Sequence, residues 1–447
     1  MSQPQLKLTL EQGLIDLDRS LVRATLDDYH YADIGEELAE FNSPEAKQLL
    51  SLFALADRAS LFAYLPPHQQ AQVAALMSRN KLAALISRME ADERADLYKE
   101  LDEEQRAMIL PGLAQAERED IRRLASYPEG SAGSIMTSDY ATLKEHWLAS
   151  RALKQLRLEA PDKETIYQTY VIDRERRVLG TISLRELILA SPDAMIKDLM
   201  RTDIVSITVE NDQEYATEQI RHYDLLAIPV VDDTQRMMGI ITYDDAMDAA
   251  VEEATEDAQK SASVGKLDES VDRASFWQLY SKRIPWLVLL VFGAMFSGAG
   301  LAHFEDIIAN HVVLVFFLPL LIGSGGNAGS QAAALMVRAL ATGDVGKGDW
   351  AKLFTKELLI GFSLGATMAI AVFALGLWRG GIDVAAIVAV AMVIIVMFSS
   401  LIGLSLPFLL SKLKVDPATA SGPLVATIAD VGGVLIYFGL ASTVLGL

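Results

Sequence analysis

From residue 284 onward the chain is organised as five apolar runs, about 284–303, 311–337, 355–378, 384–411 and 420–445. Each is near or above the ~20 residues a helix needs to cross a hydrocarbon core, so this part reads as a helical membrane bundle. The last run carries the sharpest constraint. Between Pro417 and Leu447 there is one carboxylate, Asp430, and no Lys, Arg or His. It lies near the middle of the run, where a charge costs at least ~3 kcal/mol on insertion scales, and such a residue is a functional-site candidate by default.

Charge divides the chain in two. Residues 1–283 hold 51 acidic against 32 basic side chains, a balance of −19, and residues 284–447 hold 8 against 7, a balance of −1. An acidic soluble part argues against nucleic acid and anionic lipid as its partners and leaves cations open. With no cysteine there is neither a disulfide framework nor a thiolate metal site. The start, Met1-Ser-Gln-Pro-Gln, lacks the basic and apolar regions of a cleavable signal peptide. Lys282 and Arg283 precede the first span. Arg338, Lys347, Lys352 and Lys356 lie between spans two and three, and Lys412 and Lys414 between four and five. The other side has Arg379 with Glu305, Asp306 and Asp383. The positive-inside rule then predicts cytoplasmic N-terminal domains and an extracytoplasmic C-terminus.

Upstream of the spans the pattern changes twice. Residues 1–130 read as an acidic all-α domain, with apolar positions at three- and four-residue spacing such as Leu50, Phe53, Ala54, Leu61 and Leu65. Asp57-Arg-Ala-Ser-Leu-Phe-Ala-Tyr-Leu65 is echoed 36 residues later by Glu93-Arg-Ala-Asp-Leu-Tyr-Lys-Glu-Leu101, the mark of stacked helical hairpins in a short superhelix. Residues 131–250 read as α/β, in two halves of about 131–197 and 198–250. Tyr170-Val-Ile-Asp-Arg-Glu-Arg-Arg-Val-Leu-Gly180-Thr-Ile-Ser-Leu-Arg-Glu186 parallels Pro229-Val-Val-Asp-Asp-Thr-Gln-Arg-Met-Met-Gly239-Ile-Ile-Thr-Tyr-Asp-Asp245 at an offset of 59. This strand–turn–strand–helix pair resembles a tandem of cystathionine-β-synthase-type (CBS) repeats. Such modules often bind adenine nucleotides, ATP among them, and usually regulate a neighbouring domain. The resemblance points to Ser183, Arg185 and Glu186 in the first repeat and Thr242 in the second. Nucleotide binders typically end the motif in aspartate, which Asp245 keeps and Glu186 replaces, so nucleotide binding is left open.

Residues 251–280 are expected to form a connecting helix ahead of a five-helix membrane domain over 281–447. Asp248, Glu252, Glu253, Glu256 and Asp257 make much of one helical face carboxylate, which destabilises a helix slightly unless a cation intervenes. The fold class expected overall is a multidomain membrane protein: superhelical N domain, α/β CBS tandem, and an α-helical bundle of five spans.

The second run contains Pro319-Leu-Leu-Ile-Gly323-Ser-Gly-Gly-Asn327-Ala-Gly-Ser330-Gln331. Its glycines allow close helix approach, and its amides need partners or water. No Lys or Arg lies within the interior of any span, so Asp430 must be protonated, hydrogen-bonded in a polar pocket, or neutralised by a mobile cation. Carboxylate, amide, hydroxyl and carbonyl oxygens suit a hard cation such as Mg²⁺ or Ca²⁺. One aspartate per chain is sparse for that, and a twofold dimer about the pore supplies two.

Pro-Leu-Leu-x-Gly-x-Gly-Gly-Asn-x-Gly-x-Gln in span two, Asp416-Pro-Ala-x-x-Ser-Gly-Pro before span five, and Ala-Thr-x-x-Asp430-x-x-Gly within it closely resemble the MgtE magnesium transporters, as does the order of domains. The resemblance implies a homodimer in a bacterial inner membrane, with the pore on its axis. It implies Asp430 as the Mg²⁺ ligand of the path, and Gly323, Gly326, Asn327, Ser330, Gly422, Ala426 and Thr427 as its lining. Ser330 stands where the family usually has asparagine. The resemblance further implies closure when cytosolic Mg²⁺ is high, with regulatory ions bridging Asp57, Glu93, Asp212, Glu214, Asp224, Asp245, Asp248, Glu253, Glu256, Asp257 and Asp416. No nucleophile–base pair or catalytic metal cluster is apparent, so no enzyme is expected. The rivals are a broader divalent-cation transporter (Co²⁺, Mn²⁺, Ca²⁺), an ion-coupled exchanger using Asp430 as a proton or Na⁺ site, and a membrane-anchored sensor.

Overall fold

A computed structural model describes residues 4–267, 271, 273–346 and 348–446. The chain divides into two units, 1–251 and 252–447.

In the first unit, ten helices run from Pro4–Asp16 to Gln115–Leu124. Several begin on a side chain that accepts from the first turn, as Asn42 does from Glu45 N at 3.0 Å and Asp102 from Gln105 N at 2.8 Å. Their apolar stripes close over one core that includes Leu10, Ile34, Leu50, Phe53, Leu61, Phe62, Leu85 and Leu97, each at most 1% exposed. Burial on this scale is what holds such short helices, because isolated helices of this length are marginal in water.

The two repeats then form one small sheet each. In the first, β1 (Tyr140–Leu143) pairs parallel with β2 (Thr165–Ile172), which pairs antiparallel with β3 (Val178–Ser183). In the second, β4 (Ile207–Thr208), β5 (Ala227–Val231) and β6 (Met237–Thr242) repeat that order and those senses. Tyr140, Tyr170, Ile172, Ala227, Met237 and Ile240 form a shared core between the repeats. The helix Ala91–Glu100 contributes Ala91 and Ala95 to the core of the second repeat, fixing its first turn beside that repeat.

β6 runs directly into the helix Tyr243–Ser261. The connecting helix expected over 251–280 therefore starts earlier and stops sooner. Its end is set by Ser263, which takes a left-handed φ of 58°, and by Gly265 N, which donates to Lys282 O at 2.9 Å. Part of the expected range, residues 268–270 and 272, lies outside the described residues.

In the second unit the first span is Phe276–His303, capped by Ser275. A six-residue helix, Glu305–Asn310, leads to the second span, which comprises a 3₁₀ stretch Val312–Phe317 and the helix Leu318–Ala341. Helical hydrogen bonding is then continuous over Trp350–Lys412, 63 residues, except that Gly381 has φ 80° and ψ −172°. A straight helix of that length would reach ~95 Å, about three times a bilayer core. Gly381 breaks it into two spans, 350–380 and 382–412. A Cβ on Gly376 would lie 2.6 Å from Ala385 Cα, and one on Gly365 would lie 2.8 Å from Val393 Cα. These contacts pair the two spans as an antiparallel hairpin. The conformation at Gly381 is open essentially to glycine alone. The last span is Gly422–Leu445, giving five membrane helices among the described residues. Spans two and four touch backbone to backbone, since a Cβ on Gly403 would lie 2.0 Å from Gly329 O.

Candidate functional site

Asp430 projects from the last span, half-buried. Among the described residues, no charged or hydrogen-bonding side chain reaches it. Span two lies alongside. A Cβ on Gly326 would sit 3.4 Å from Ala426 Cβ, and Ser330 Oγ donates to Gly422 O at 3.1 Å. Thr427 donates to Pro423 O at 2.9 Å, and its methyl lies 2.5 Å from where Gly293 of the first span would carry a Cβ. On span two, Gly323, Asn327 and Gln331 are exposed at four-residue spacing, while Gly325, Gly326, Ala328, Gly329, Ala332 and Ala333 are buried. Two amides on the open face of a membrane helix cannot be left to hydrocarbon; they need water or a second polar surface. The fourth span adds Ser399 and Ser400, wholly buried; Ser400 meets Glu357 of the third span, and the Ser399 hydroxyl has no hydrogen-bond partner among the described residues.

A second constellation lies in the soluble unit. The helix Ala91–Glu100 opens on Glu90, Asp92 and Glu93, and its first turn faces the start of β2, where Glu164 sits, and the first turn of Tyr243–Ser261, where Asp245 sits. One carboxylate oxygen from each of Glu90, Asp92 and Glu164 lies within 4.8 Å of the others. Asp92 Oδ1 and Glu164 Oε2 are buried without a hydrogen-bond partner. Burial, then the charge of Asp245 and Glu164, pushes the Asp92 carboxyl well above the usual range. Burial followed by the Glu90 charge raises Glu93 to about 8, and the same two causes raise Glu164 to about 8. Asp245 is raised to about 6, mainly by burial, although the Thr242 hydroxyl donates to it and opposes the shift. Like charges this close, two with orphaned oxygens, fit a hard divalent cation held by oxygen ligands.

The sequence singled out Glu93 and Asp245 from this cluster but missed Glu90, Asp92 and Glu164. The one available signal was three acids in four residues, Glu90-Ala-Asp-Glu93, at a helix start. Asp57, the repeat equivalent of Glu93, accepts from Tyr31 OH at 2.9 Å. Asp248 is exposed, and its pKa is raised by partial burial and by Asp244. Asp212 caps the helix Gln213–His222, accepting from Glu214 N at 2.8 Å, and Asp224 sits at a left-handed turn with φ 51°.

For the nucleotide positions, Ser183 and Glu186 close a capping box on the helix Leu184–Leu189. Arg201 grips Glu186 Oε1 through Nε at 3.0 Å and Nη2 at 2.8 Å. Arg185 is exposed and Thr242 is buried.

In the membrane unit, Glu256 and Asp257 lie near the end of Tyr243–Ser261, with Glu253 one turn earlier. Asp416 precedes the last span and holds Ala418 N at 2.8 Å. Lys260 Nζ lies 2.6 Å from Glu256 Oε1 and 2.5 Å from Asp416 Oδ2.

The family model of the MgtE intracellular N domain matches residues 29–130. CBS domain models match 132–193 and 196–252, and the MgtE divalent cation transporter model matches 318–440. The magnesium transporter MgtE of Thermus thermophilus is 35% identical over 446 residues, 99% of each chain. The magnesium transporter MgtE of Bacillus subtilis is 35% identical over 334 residues, 74% of each. The crystal structure of the cytosolic domain of the Mg²⁺ channel MgtE in complex with ATP superposes with a TM-score of 0.52 at 30% identity, covering 54% of this chain and 99% of that one. With a full-length relative at this identity and all three domain models in order, the chain belongs to the MgtE family of divalent cation transporters.

Proposed function

We propose that the protein carries Mg²⁺ into the cell through a channel-like path between two copies of the chain, and that Mg²⁺ on the cytosolic side closes it. The observation that carries the reading is Asp430: a half-buried carboxylate in a membrane helix that no base or hydrogen-bond donor reaches among the described residues. Beside it, Asn327 and Gln331 leave a polar face open on span two. A mobile cation answers the first need, and a wet path shared with a second copy answers the second. Two Asp430 carboxylates across a twofold axis hold a largely hydrated Mg²⁺ without full dehydration. Gly323, Gly326, Asn327, Ser330, Gly422, Ala426 and Thr427 line or shape that path. The relatives' names specify magnesium, and that choice of cation is carried over here.

Closure rests on the acidic cluster and on the carboxylates at the end of the connecting helix. Without cation the acids repel; with it, Asp92, Glu93, Glu164 and Asp245 are drawn together, biasing the equilibrium by differential affinity. The other regulatory ligands are Asp57, Asp212, Glu214, Asp224, Asp248, Glu253, Glu256, Asp257 and Asp416. The soluble domains face the cytosol and the C-terminus lies outside, in a bacterial inner membrane. The protein acts as a transporter without catalysis. One observation favours a nucleotide at the CBS pair as well: the related cytosolic domain was solved with ATP. At both ends of the motif the acid is already engaged: Thr242 donates to Asp245, and Arg201 holds Glu186.

The test is Mg²⁺ flux in proteoliposomes. Asp430→Asn is expected to abolish most of the flux, and raising Mg²⁺ on the cytosolic face is expected to suppress the wild type. Undiminished flux in Asp430→Asn would falsify the pore assignment; wild-type flux indifferent to cytosolic Mg²⁺ would remove the gating.

A further inference from the structure

Four carboxylates and two ammonium groups meet where the connecting helix ends in the membrane unit. Glu256 is bridged on both oxygens: Lys260 Nζ lies 2.6 Å from Oε1 and Lys266 Nζ lies 3.4 Å from Oε2. Lys266 also holds Glu252 at 2.8 Å. Lys260 reaches across to Asp416 Oδ2 at 2.5 Å, so one ammonium joins the connecting helix to the segment that leads into the last span. Asp257 stands close enough to Asp416 for the two charges to interact. A second tie lies next to it: Ser263 Oγ and Ser421 Oγ are 2.7 Å apart, and Ser421 caps the span that carries Asp430. The side chains of Lys260, Glu256 and Asp416 are 27%, 21% and 37% exposed, so water screens these pairs only in part.

We propose that Lys260 is a tethered competitor for the divalent cation, an ammonium that holds Glu256 and Asp416 together until Mg²⁺ displaces it, and that it thereby sets the cytosolic Mg²⁺ concentration at which the path closes. The inference rests on the gating reading above. Its chemistry is simple. A bridging Mg²⁺ needs the same two carboxylates from the same two elements, and a primary ammonium beside a divalent ion is repelled by it. Lysine suits this role better than arginine would, because a compact head on a flexible stem can swing away without breaking a bidentate fork.

The experiment measures Mg²⁺ flux into proteoliposomes against cytosolic-face Mg²⁺ for wild type, Lys260→Gln and Lys260→Arg. Removing one positive charge a few ångströms from the ion is expected to lower the half-inhibitory Mg²⁺ on the order of tenfold. Lys260→Arg keeps the charge and adds a fork that is harder to displace, so its half-inhibitory Mg²⁺ is expected at or above the wild-type value. Direct Mn²⁺ binding to the purified full-length variants, followed by the loss of the free-ion paramagnetic resonance signal, should tighten in Lys260→Gln and gives a readout that needs no flux. An unchanged or higher half-inhibitory concentration in Lys260→Gln, with Mn²⁺ binding unimproved, makes Lys260 a structural tie and overturns the proposal. Failure of the gating reading looks different: the wild type itself then ignores cytosolic Mg²⁺.

Discussion

Mg²⁺ binding to the acidic cluster should expel protons. Glu93 and Glu164 both titrate at about 8 in the ion-free protein, so at pH 7 each holds roughly 0.9 of a proton. The reason is visible in the geometry. Burial is the first cause for both groups, and the Glu90 charge adds to it. One carboxylate oxygen from each of Glu90, Asp92 and Glu164 lies within 4.8 Å of the others, where two unit charges repel by at least about 3.5 kcal/mol at an effective dielectric constant of ~20. A hard cation binds only the ionised form, so each Mg²⁺ must displace at least about one proton, and more where Asp92, whose carboxyl is also raised, is a ligand. Isothermal titration of the full chain with Mg²⁺ at pH 7, in two buffers of different ionisation enthalpy, reads that number as the slope of apparent enthalpy. Affinity should rise by roughly tenfold per pH unit for each proton displaced, between about pH 6 and 8. Glu164→Gln removes one titrating group and lowers the slope by about one proton, as linkage requires. Stability without the ion has the opposite dependence. Carboxyls whose folded pKa is raised stabilise the fold fully below their ordinary 4.5, and that contribution is lost as pH rises to about 8. Heat released independently of the buffer in the wild type would refute the reasoning, because the cluster would then be ionised already or not be the site.

Two further outcomes follow from packing and hydrogen bonding. Gly403→Ala would force a methyl to within 2.0 Å of Gly329 O, a backbone atom that cannot rotate away, so spans two and four must separate. The expected cost is at the upper end of about 1–3 kcal/mol. It should be read as a lower unfolding midpoint in detergent, and a midpoint equal to wild type would contradict the contact. For ATP, Glu186→Gln should leave binding to the purified chain unchanged, because Arg201 and Ser183 already occupy that carboxylate. Loss of ATP affinity in Glu186→Gln would mean that the acid leaves Arg201 for the ligand.

The membrane half was legible because its signals are long-range and one-dimensional. Run lengths identified the spans, and the Arg379-Gly-Gly381 junction between two runs is where the left-handed backbone divides 63 helical residues. The tandem repeat was legible for a similar reason, since an offset of 59 survives in the sequence whatever the packing. The acidic cluster was not. Asp92 and Glu164 come from different domains, and they meet through packing that the sequence does not show: Ala91 and Ala95 are buried against the second repeat, and Arg94 pairs with Asp139, whose carbonyl accepts from Glu164 N. The internal echo was misleading here. It equates Asp57 with Glu93, but Asp57 meets a tyrosine hydroxyl while Glu93 meets other carboxylates. The limits of the connecting helix were hidden too, because they depend on Ser263 adopting a left-handed φ, a conformation for which serine carries no sequence signal.

Three groups of carboxylates in this chain are neutralised differently, and the difference bears on how one ion could be both cargo and signal. In the soluble cluster the competitor is the proton, held by Glu93 and Glu164 near neutral pH. At the end of the connecting helix it is an ammonium, Lys260 bridging Glu256 and Asp416. At Asp430 no built-in partner is found among the described residues. A site that must first expel a proton or a lysine binds Mg²⁺ more weakly than its ligand count implies, by RT ln of the reciprocal of the fraction of sites the competitor leaves free. Weak binding is what a sensor of abundant cytosolic Mg²⁺ needs, since a tight site would be filled at all times and report nothing. The path needs an ion to enter and leave, with its charge satisfied by little besides the ion itself and its water. In the proposed reading, the regulatory sites are therefore detuned by competitors that the chain carries with it, and the carboxylate in the path has none.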